Sequence, residues 1–318
     1  MRAAALQIEA EVGNIDANLE LCERYADDAA AAGADWIVLP EFFSSGVAYR
    51  PEIAQNAPPP DGAPTRLLRE LARRHGAHVG GSTLVRDEDG HVRNAFFLAG
   101  PGGELLGRHD KDIPTMWENA LYVGGGDPGR LEAAGLTVGV ALCWELLRTQ
   151  TAERLAGRVD LVLSGSGWWS IPPWPPRALT RRLQASNQRR ALLAPAAFAS
   201  YVGAPVIHAA HSGTLNCPWP LLGLSYHGHY QGGAIVCDAS GKVLAMRRRE
   251  DGPGFALASI EPTRRPPAPR PDRFWLQRRG VVAALAWAYQ NPHGRREYRR
   301  TRAQRPLTAA SERERALP

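Results

Sequence analysis

The sequence has little of what disulfide-bonded, zinc-binding or membrane-spanning proteins require. Its four cysteines are Cys22, Cys143, Cys217 and Cys237, too few and too scattered for a disulfide framework or a paired metal-ligand spacing. No apolar run of about 18 residues is present, so no membrane span is predicted. Within residues 1–9 a charged residue occurs too early for this segment to be the apolar region of a signal peptide. We therefore expect a reduced, cytoplasmic protein without a metal site.

Lysine is also scarce. Only Lys111 and Lys242 occur among 38 basic residues. A position that retains lysine where arginine is otherwise preferred can require a compact ammonium instead of a guanidinium fork. Lys111 is the more informative of the two, because it leaves a predicted strand for a loop that contains Pro114 and, shortly after, Glu118. A solvated surface lysine with aspartate neighbours is the alternative interpretation.

The net charge of +6 is distributed unevenly along the chain. Residues 262–318 hold 14 arginines against four carboxylates, a net +10, which leaves −4 for residues 1–261. An Arg/Pro-rich segment of this kind is typical of a solvated extension or a subunit-contact arm. No helix-turn-helix or zinc-finger pattern accompanies the charge, so nucleic acid is not an expected partner. We predict a domain at 1–261 and an arm at 262–318.

The order of predicted elements is that of an α/β protein. A strand at 2–8 precedes a helix with Asn14 as its N-cap, and residues 36–39 form a wholly apolar strand of the kind covered on both faces. The pattern of strand, helix, strand and hairpin occurs twice. It favours one domain with two stacked sheets and helices outside. In the second half, a long helix is predicted at 177–193 and another from near Pro195.

Cys143 lies where a predicted strand, 136–142, gives way to a helix from Glu145. A thiol there is near helix-start N–H groups, which favour the thiolate and can bind an oxyanion. A small buried hydrophobe is the alternative, as for most free cysteines. Glu41 likewise follows the strand 36–39, at the sheet edge where α/β folds place their chemistry; a loop carboxylate in water is the alternative there.

Three short motifs in this order resemble the nitrilase superfamily of carbon–nitrogen hydrolases. They are Pro-Glu-Phe-Phe at 40–43, His-Asp-Lys at 109–111 and Leu-Cys-Trp-Glu at 142–145. The resemblance covers about residues 1–261. It implies a four-layer α-β-β-α sandwich that pairs with a second copy, and therefore a homodimer or a higher homo-oligomer. It also implies chemistry that needs no metal and no organic cofactor.

The same resemblance implies roles for four residues. Glu41 is implied to be the general base, Lys111 the donor to the oxyanion and Cys143 the nucleophile that forms a thioester. Glu118 corresponds best to the second carboxylate of the family, which positions the substrate or the base. The implied reaction cleaves the C–N bond of a small linear amide or carbamoyl compound, or attacks a nitrile, and releases ammonia.

The branch of the family and the substrate are left open by the sequence. The triplet 143–145 is similar to that of true nitrilases, but Leu146 stands where many nitrilases carry histidine. Trp144 and Trp168 are expected to line an aromatic substrate pocket, although such residues can equally fill a core. Glu145 is interpreted as a structural carboxylate at a helix start. A catalytically silent member that acts as a binding or scaffold protein is the alternative function.

Beyond residue 262 the resemblance fades. Residues 281–289 predict a short helix that packs against another surface, and by analogy with family members we expect this arm to lie across a partner subunit. From about Arg295 we expect a mobile end. Four histidines without a recognisable metal-ligand spacing are expected to be structural or to lie at a pocket rim: His208, His211, His227 and His229.

Overall fold

The computed structural model describes residues 1–219, 224–277 and 280–303. Strands and helices alternate through most of these ranges. The strands are β1 (Arg2–Ile8), β2 (Trp36–Val38), β3 (His78–Arg86), β4 (Val92–Ala99), β5 (Leu105–Asp110), β6 (Arg130–Ala133), β7 (Leu136–Val140), β8 (Leu161–Ser166), β9 (Val206–His211), β10 (Thr214–Pro218), β11 (Ser225–His229), β12 (Gly232–Cys237), β13 (Val243–Arg248) and β14 (Gly254–Ser259). The α-helices are α1 (Ile15–Ala31), α2 (Pro51–Gln55), α3 (Ala63–His75), α4 (Thr149–Leu155), α5 (Arg177–Val202) and α6 (Val281–Ala303).

The first half of the main sheet runs in the order β5-β4-β3-β2-β1, with β14 antiparallel to β1. Strands β1, β2 and β3 are parallel neighbours, and parallel neighbours need a crossover connection. Helices α1 and α3 lie on these connections. The Asn14 side chain accepts a hydrogen bond from the Ala17 N–H at 3.3 Å, which confirms the predicted cap.

The second half contains β6-β7-β8-β9, extended by β12 and β13. Helix α4 connects the parallel strands β7 and β8, and α5 connects β8 and β9. The two halves meet where the end of β1 pairs with the end of β9, at Gln7 with Ala210 and Ile8 with His211. This corner brings the carboxyl ends of strands from both halves to one side of the molecule.

Three clusters of buried hydrophobic side chains lie between the layers. Outer faces of the first half pack on α1 and α3 in a cluster that includes Leu6, Val79 and Leu71. Inner faces of both halves pack on each other in a cluster that includes Val38 and Val140. Outer faces of the second half pack on α4 and α5. The order helix, sheet, sheet, helix confirms the predicted four-layer sandwich.

Two helix predictions were wrong. Helix α5 continues through Pro195 to Val202 instead of ending near residue 193. Pro195 and the residues beyond it pack into the core, as with the fully buried Phe198, so tertiary packing outweighs the intrinsic cost of proline. The segment after Cys143 is a 3-10 turn, Cys143–Leu147, followed by the short α4. The antiparallel pair β10–β11 was not predicted.

The C-terminal arm packs against its own domain through α6. This helix extends to Ala303 and not only to residue 289. It continues past Arg295, where a mobile end was expected, and Tyr298 is buried and accepts a hydrogen bond from the Val92 N–H at 3.0 Å. Residues 304–318 lie outside the described residues. Within the described ranges, no helix combines the length and apolarity that crossing a membrane would need.

Candidate active site

The structure brings Glu41, Lys111, Glu118 and Cys143 together at the carboxyl ends of strands. Glu41 follows β2, Lys111 follows β5 directly, and Cys143 follows β7. Glu118 lies in a 3-10 turn, Met116–Ala120. All four side chains are buried, with at most 1% of the residue surface exposed. Four groups from three separate segments of the sequence therefore share one enclosed site.

The Lys111 ammonium joins the two carboxylates. Its Nζ donates to Glu41 Oε1 at 2.7 Å and to Glu118 Oε2 at 2.7 Å. Burial by itself lowers the pKa of Lys111, but the charges of Glu118 and Glu41 outweigh it and hold that pKa well above its usual value. Lys111 therefore stays cationic, and the scarcity of lysine in this chain fits a position that needs a compact point charge.

Glu41 is fixed by donors from several elements. Oε1 also accepts from Asn94 Nδ2 at 2.9 Å, and Oε2 accepts from the Gly167 N–H at 3.1 Å. The Nε2 of His211 donates to the Glu41 carbonyl oxygen at 2.6 Å. Burial raises the pKa of the Glu41 carboxyl, while Lys111 opposes that rise. The result is a stronger base than a carboxylate in water.

Cys143 lies against this carboxylate. Three atoms lie within 4.8 Å of one another: one carboxylate oxygen of Glu41, one of Glu118, and the Cys143 sulfur. Burial raises the pKa of the Cys143 thiol well above its usual value, and the Glu41 charge raises it further. The resting sulfur is therefore a neutral thiol with a base beside it, and not a preformed thiolate. Such a spacing could also suit a cation, and Lys111 already places one between the carboxylates.

Backbone strain concentrates at this site. Among the described residues, the non-glycine positions with positive φ are Phe42 at 55°, Met116 at 52°, Ala134 at 53° and Cys143 at 51°. One is Cys143, another follows Glu41, and a third lies in the turn that carries Glu118. Each such conformation costs on the order of 1–3 kcal/mol, and such strain clusters at functional sites.

Glu118 is held by its own turn. Its Oε2 accepts from the Thr115 N–H at 2.9 Å and from the Tyr122 hydroxyl at 2.5 Å. Burial raises the pKa of Tyr122 well above its usual value, and Glu118 raises it further, so the phenol remains a donor. These contacts aim one oxygen of Glu118 at Lys111.

A second buried group connects the loop of Lys111 to the loop of Cys143. Glu145 Oε1 accepts from the Asp112 N–H at 3.0 Å, and Oε2 accepts from the Leu142 N–H at 2.8 Å. His109 lies between Glu145 Oε2, 3.1 Å from Nε2, and Asp127 Oδ1, 2.6 Å from Nδ1. Burial lowers the pKa of His109, but Glu145 and Asp127 outweigh it and raise that pKa to about 10.

Cys143 opens onto a cavity of about 220 Å³. Trp144 and Trp168, the predicted pocket residues, both line it. Their rings lie 5.7 Å apart between centroids, and the Trp168 indole N–H donates to Asn187 Oδ1 at 3.0 Å. Further tryptophans contribute to the walls: Trp169, Trp174 and Trp219. The cavity is therefore a mainly apolar chamber with five tryptophans and a thiol in its walls.

Comparisons with known proteins identify the family of this chain. The sequence profile described as "Carbon-nitrogen hydrolase" matches residues 2–265. The chain belongs to the carbon–nitrogen hydrolase family. Known carbon–nitrogen hydrolases similar to it include a nitrilase of Pyrococcus abyssi, 28% identical over 57% of this chain and 70% of the relative. An omega-amidase of Danio rerio is 27% identical over 69% of this chain and 81% of the relative.

Solved carbon–nitrogen hydrolases share the fold. An amidase from Nesterenkonia, with acrylamide added at its active-site cysteine, superposes with a TM-score of 0.65 at 22% identity, over 82% of this chain and 93% of that one. A carbon–nitrogen hydrolase from Helicobacter pylori gives a TM-score of 0.66 at 18% identity, over 82% and 88% of the two chains. With these comparisons the family, the fold and membership of the C–N hydrolases are established for this chain.

Sequence reasoning missed several residues of the site. Asn94 contacts Glu41 and Tyr122 contacts Glu118 directly, yet neither carries a local signal. His109 was quoted only as part of the motif at 109–111, and its contacts with Glu145 and Asp127 were not predicted. His211 was expected to be structural or at a pocket rim, and it lies against the Glu41 backbone. Asp127 follows three consecutive glycines, 124–126, and the Gly125 N–H donates to the Lys111 carbonyl oxygen at 3.0 Å. That glycine run was the available signal for a loop folded tightly on Lys111.

Proposed function

We propose that this carbon–nitrogen hydrolase cleaves the C–N bond of a small amide, carbamoyl compound or nitrile through a thioester on Cys143, and releases ammonia. The observation that carries the proposal is the arrangement of four buried side chains. The Lys111 ammonium contacts the carboxylates of Glu41 and Glu118, and the neutral Cys143 thiol beside them lines a cavity with tryptophans in its walls. The amidase and nitrilase names of similar proteins support the same reaction class.

In an amide, the reaction begins with proton transfer. Glu41 takes the Cys143 thiol proton as sulfur bonds to the carbonyl carbon, and the C=O electron pair moves onto oxygen. In this scheme the Lys111 ammonium and the Trp144 backbone N–H donate to this oxyanion. As the tetrahedral species collapses, the C–N bond breaks and Glu41 returns its proton to the leaving nitrogen, so that ammonia departs and a thioester remains.

Water then completes the cycle. Glu41 removes a proton from water as its oxygen attacks the thioester carbon, and collapse breaks the C–S bond and returns the proton to sulfur. The product is a carboxylic acid and the thiol is regenerated. Glu118 does not exchange protons in this scheme; it orients Lys111 and adds negative charge that keeps the ammonium protonated.

Trp144 and Trp168 form the substrate-contacting walls in this proposal. Both line the cavity into which Cys143 opens. We also propose that the protein functions as a homodimer or higher homo-oligomer and that residues 262–318 contribute to the subunit contact. Light scattering of the full chain and of a chain ending at residue 261 tests both points, since loss of the oligomer with loss of the arm is the expected result.

Ammonia release from a panel of small amides, carbamoyl compounds and nitriles tests the activity. Wild-type protein is compared with Cys143→Ala and with Cys237→Ala, a control at a second buried cysteine. Release by the wild type and by Cys237→Ala, with none by Cys143→Ala, supports the proposal. Ammonia release that survives in Cys143→Ala would overturn it. Absence of release in every case, together with no preferential alkylation of Cys143, would favour the silent scaffold.

A further inference from the structure

The C-terminal helix α6 forms a wall of the cavity that contains Cys143. Its residues 281–283, Ala286 and Gln290 line the chamber. Trp287 stacks on Trp144, the residue after Cys143, with ring centroids 5.6 Å apart and an angle of 5° between planes. The family match ends at residue 265. One side of the chamber is therefore built by a segment that lies beyond the family profile match.

Helix α6 is anchored beside Glu118. Gly294 lies so close to Asn119 and Ala120 that an added Cβ would come within 2.9 Å of the Ala120 nitrogen. The Arg295 Nε donates to Asn119 Oδ1 at 3.2 Å. With Tyr298 bonded to the Val92 N–H, these contacts fix the second half of the helix. The first half of α6, which forms the cavity wall, is thereby held at a fixed distance from the candidate active site.

Gln290 is the polar group that this wall presents. It lines the cavity, has only 2% of its surface exposed, and its Oε1 has no hydrogen-bond partner among the described residues. A buried amide oxygen without a partner carries an unmet desolvation cost. A ligand group that hydrogen-bonds to it would remove that cost, whereas a purely apolar ligand would not.

The remaining walls limit what can enter. A dry apolar cavity of about 150 Å³ holds benzene, so about 220 Å³ gives room for one ring and a short substituent. The indole faces of Trp144 and Trp168 favour a flat group. Among the described lining residues the charged one is Arg190, so the chamber disfavours a cationic group.

We propose that α6 completes an acyl-group subsite in which a single aromatic ring packs against the tryptophan walls and a neutral hydrogen-bond-donating substituent on that ring binds Gln290. The preferred substrates are then substituted aromatic amides or nitriles, in preference to short aliphatic ones. This inference rests on the proposed function only in that the same cavity receives the reacting group. The ring's carboxamide would point to Cys143 and its substituent to the helix.

Binding to the Cys143→Ala protein tests the subsite without turnover. Dissociation constants of acetamide, benzamide and 4-hydroxybenzamide are measured by tryptophan fluorescence and by calorimetry. We expect benzamide to bind at least tenfold more tightly than acetamide, and 4-hydroxybenzamide more tightly again. Adding Gln290→Leu to the Cys143→Ala protein should weaken the binding of 4-hydroxybenzamide about tenfold and change the binding of benzamide less than twofold. Leu285→Ala, at an exposed position of the same helix, is the control and should change neither.

A second variant keeps the test decisive if Gln290→Leu does not fold. Ala286→Phe narrows the cavity from the same helix and should weaken benzamide at least tenfold while acetamide binding stays within twofold. Equal binding of acetamide and benzamide, or equal loss of both in these variants, would overturn the subsite. Aromatic binding to Cys143→Ala with no ammonia release by the wild type would overturn the proposed function and leave the subsite standing. Ammonia release from acetamide and benzamide with equal kcat/KM would overturn the subsite and leave the proposed function standing.

Discussion

The Glu145 carboxylate lies 3.1 Å from the His109 imidazole, at a point where it also accepts backbone N–H groups from the loops that carry Lys111 and Cys143. The pair is fully buried. The sequence interpretation of Glu145 as a structural carboxylate is consistent with these contacts. The same contacts join the loop of Lys111 to the loop of Cys143. The distance between the Lys111 ammonium and the Cys143 thiol therefore depends on Glu145.

Substitution of Glu145 by glutamine should lower kcat more than it raises KM. The amide cannot accept both backbone N–H groups while its NH2 faces His109, so the two loops lose their common anchor. We expect a 10- to 100-fold loss in kcat, comparable to the loss of a group that orients metal or catalytic ligands. Steady-state kinetics measure the effect, with Glu132→Gln at an exposed strand position as control. An unchanged kcat in Glu145→Gln would contradict this positioning role.

His109 should make the stability of the protein fall at alkaline pH. Its pKa is raised from 6.5 to about 10 in the folded protein, so its contribution is complete below pH 6.5 and is lost as pH rises to about 10. The slope is at most about 1.4 kcal/mol per pH unit for one proton. Urea unfolding between pH 6 and 10 measures it. His109→Gln should flatten this dependence; a wild-type slope retained in that variant would assign it to another group.

Replacement of Lys111 by arginine should abolish most activity although charge is conserved. The guanidinium is larger than the fully buried ammonium and cannot donate to both Glu41 and Glu118 from one atom. Loss of an oxyanion donor costs about 10²–10³ in kcat. The chain supplies its own control, because Lys242→Arg changes the remaining lysine, which is exposed. Lys111→Arg with more than a tenth of wild-type kcat would argue against Lys111 as the donor.

The acid limb of the kcat/KM profile should lie above pH 4.5. Glu41 must be deprotonated to take the thiol proton, and burial raises the pKa of its carboxyl above 4.5. Activity should therefore fall as pH drops through a value higher than that of an ordinary glutamate. A pH–rate profile measures the limb and Glu41→Gln should remove the activity. An acid limb at or below pH 4.5 would contradict a raised pKa for the base.

The layers of the fold were predictable because each depends on local pattern. The apolar run at 36–39, the alternation at 136–142 and the cap at Asn14 each specify an element and the face it buries. The motifs then indicated which strand ends carry chemistry. Helix α5 was divided wrongly at Pro195, since local propensity predicts a break there and only the packing of Phe198 in the core shows that the helix continues.

The surroundings of the site were not predictable in the same way. Asn94 reaches Glu41 because β4 lies next to β3 and β3 next to β2, a relationship that depends on strand order and not on any residue near position 94. The contact of Trp144 with Trp287 joins segments far apart in the chain, across an arm whose path no local pattern sets. The catalytic roles of Glu41, Lys111 and Cys143 remain predictions until measured.

The most direct test of the account is to find the covalent intermediate. Wild-type protein is mixed with a substrate amide, quenched in acid within the first turnover, and analysed by intact-mass spectrometry and peptide mapping. We predict a mass increase equal to the acyl group, located on the peptide that contains Cys143 and absent from Cys143→Ala. Ammonia release without an adduct at Cys143, or with the adduct on Cys22, Cys217 or Cys237, would contradict the central claim.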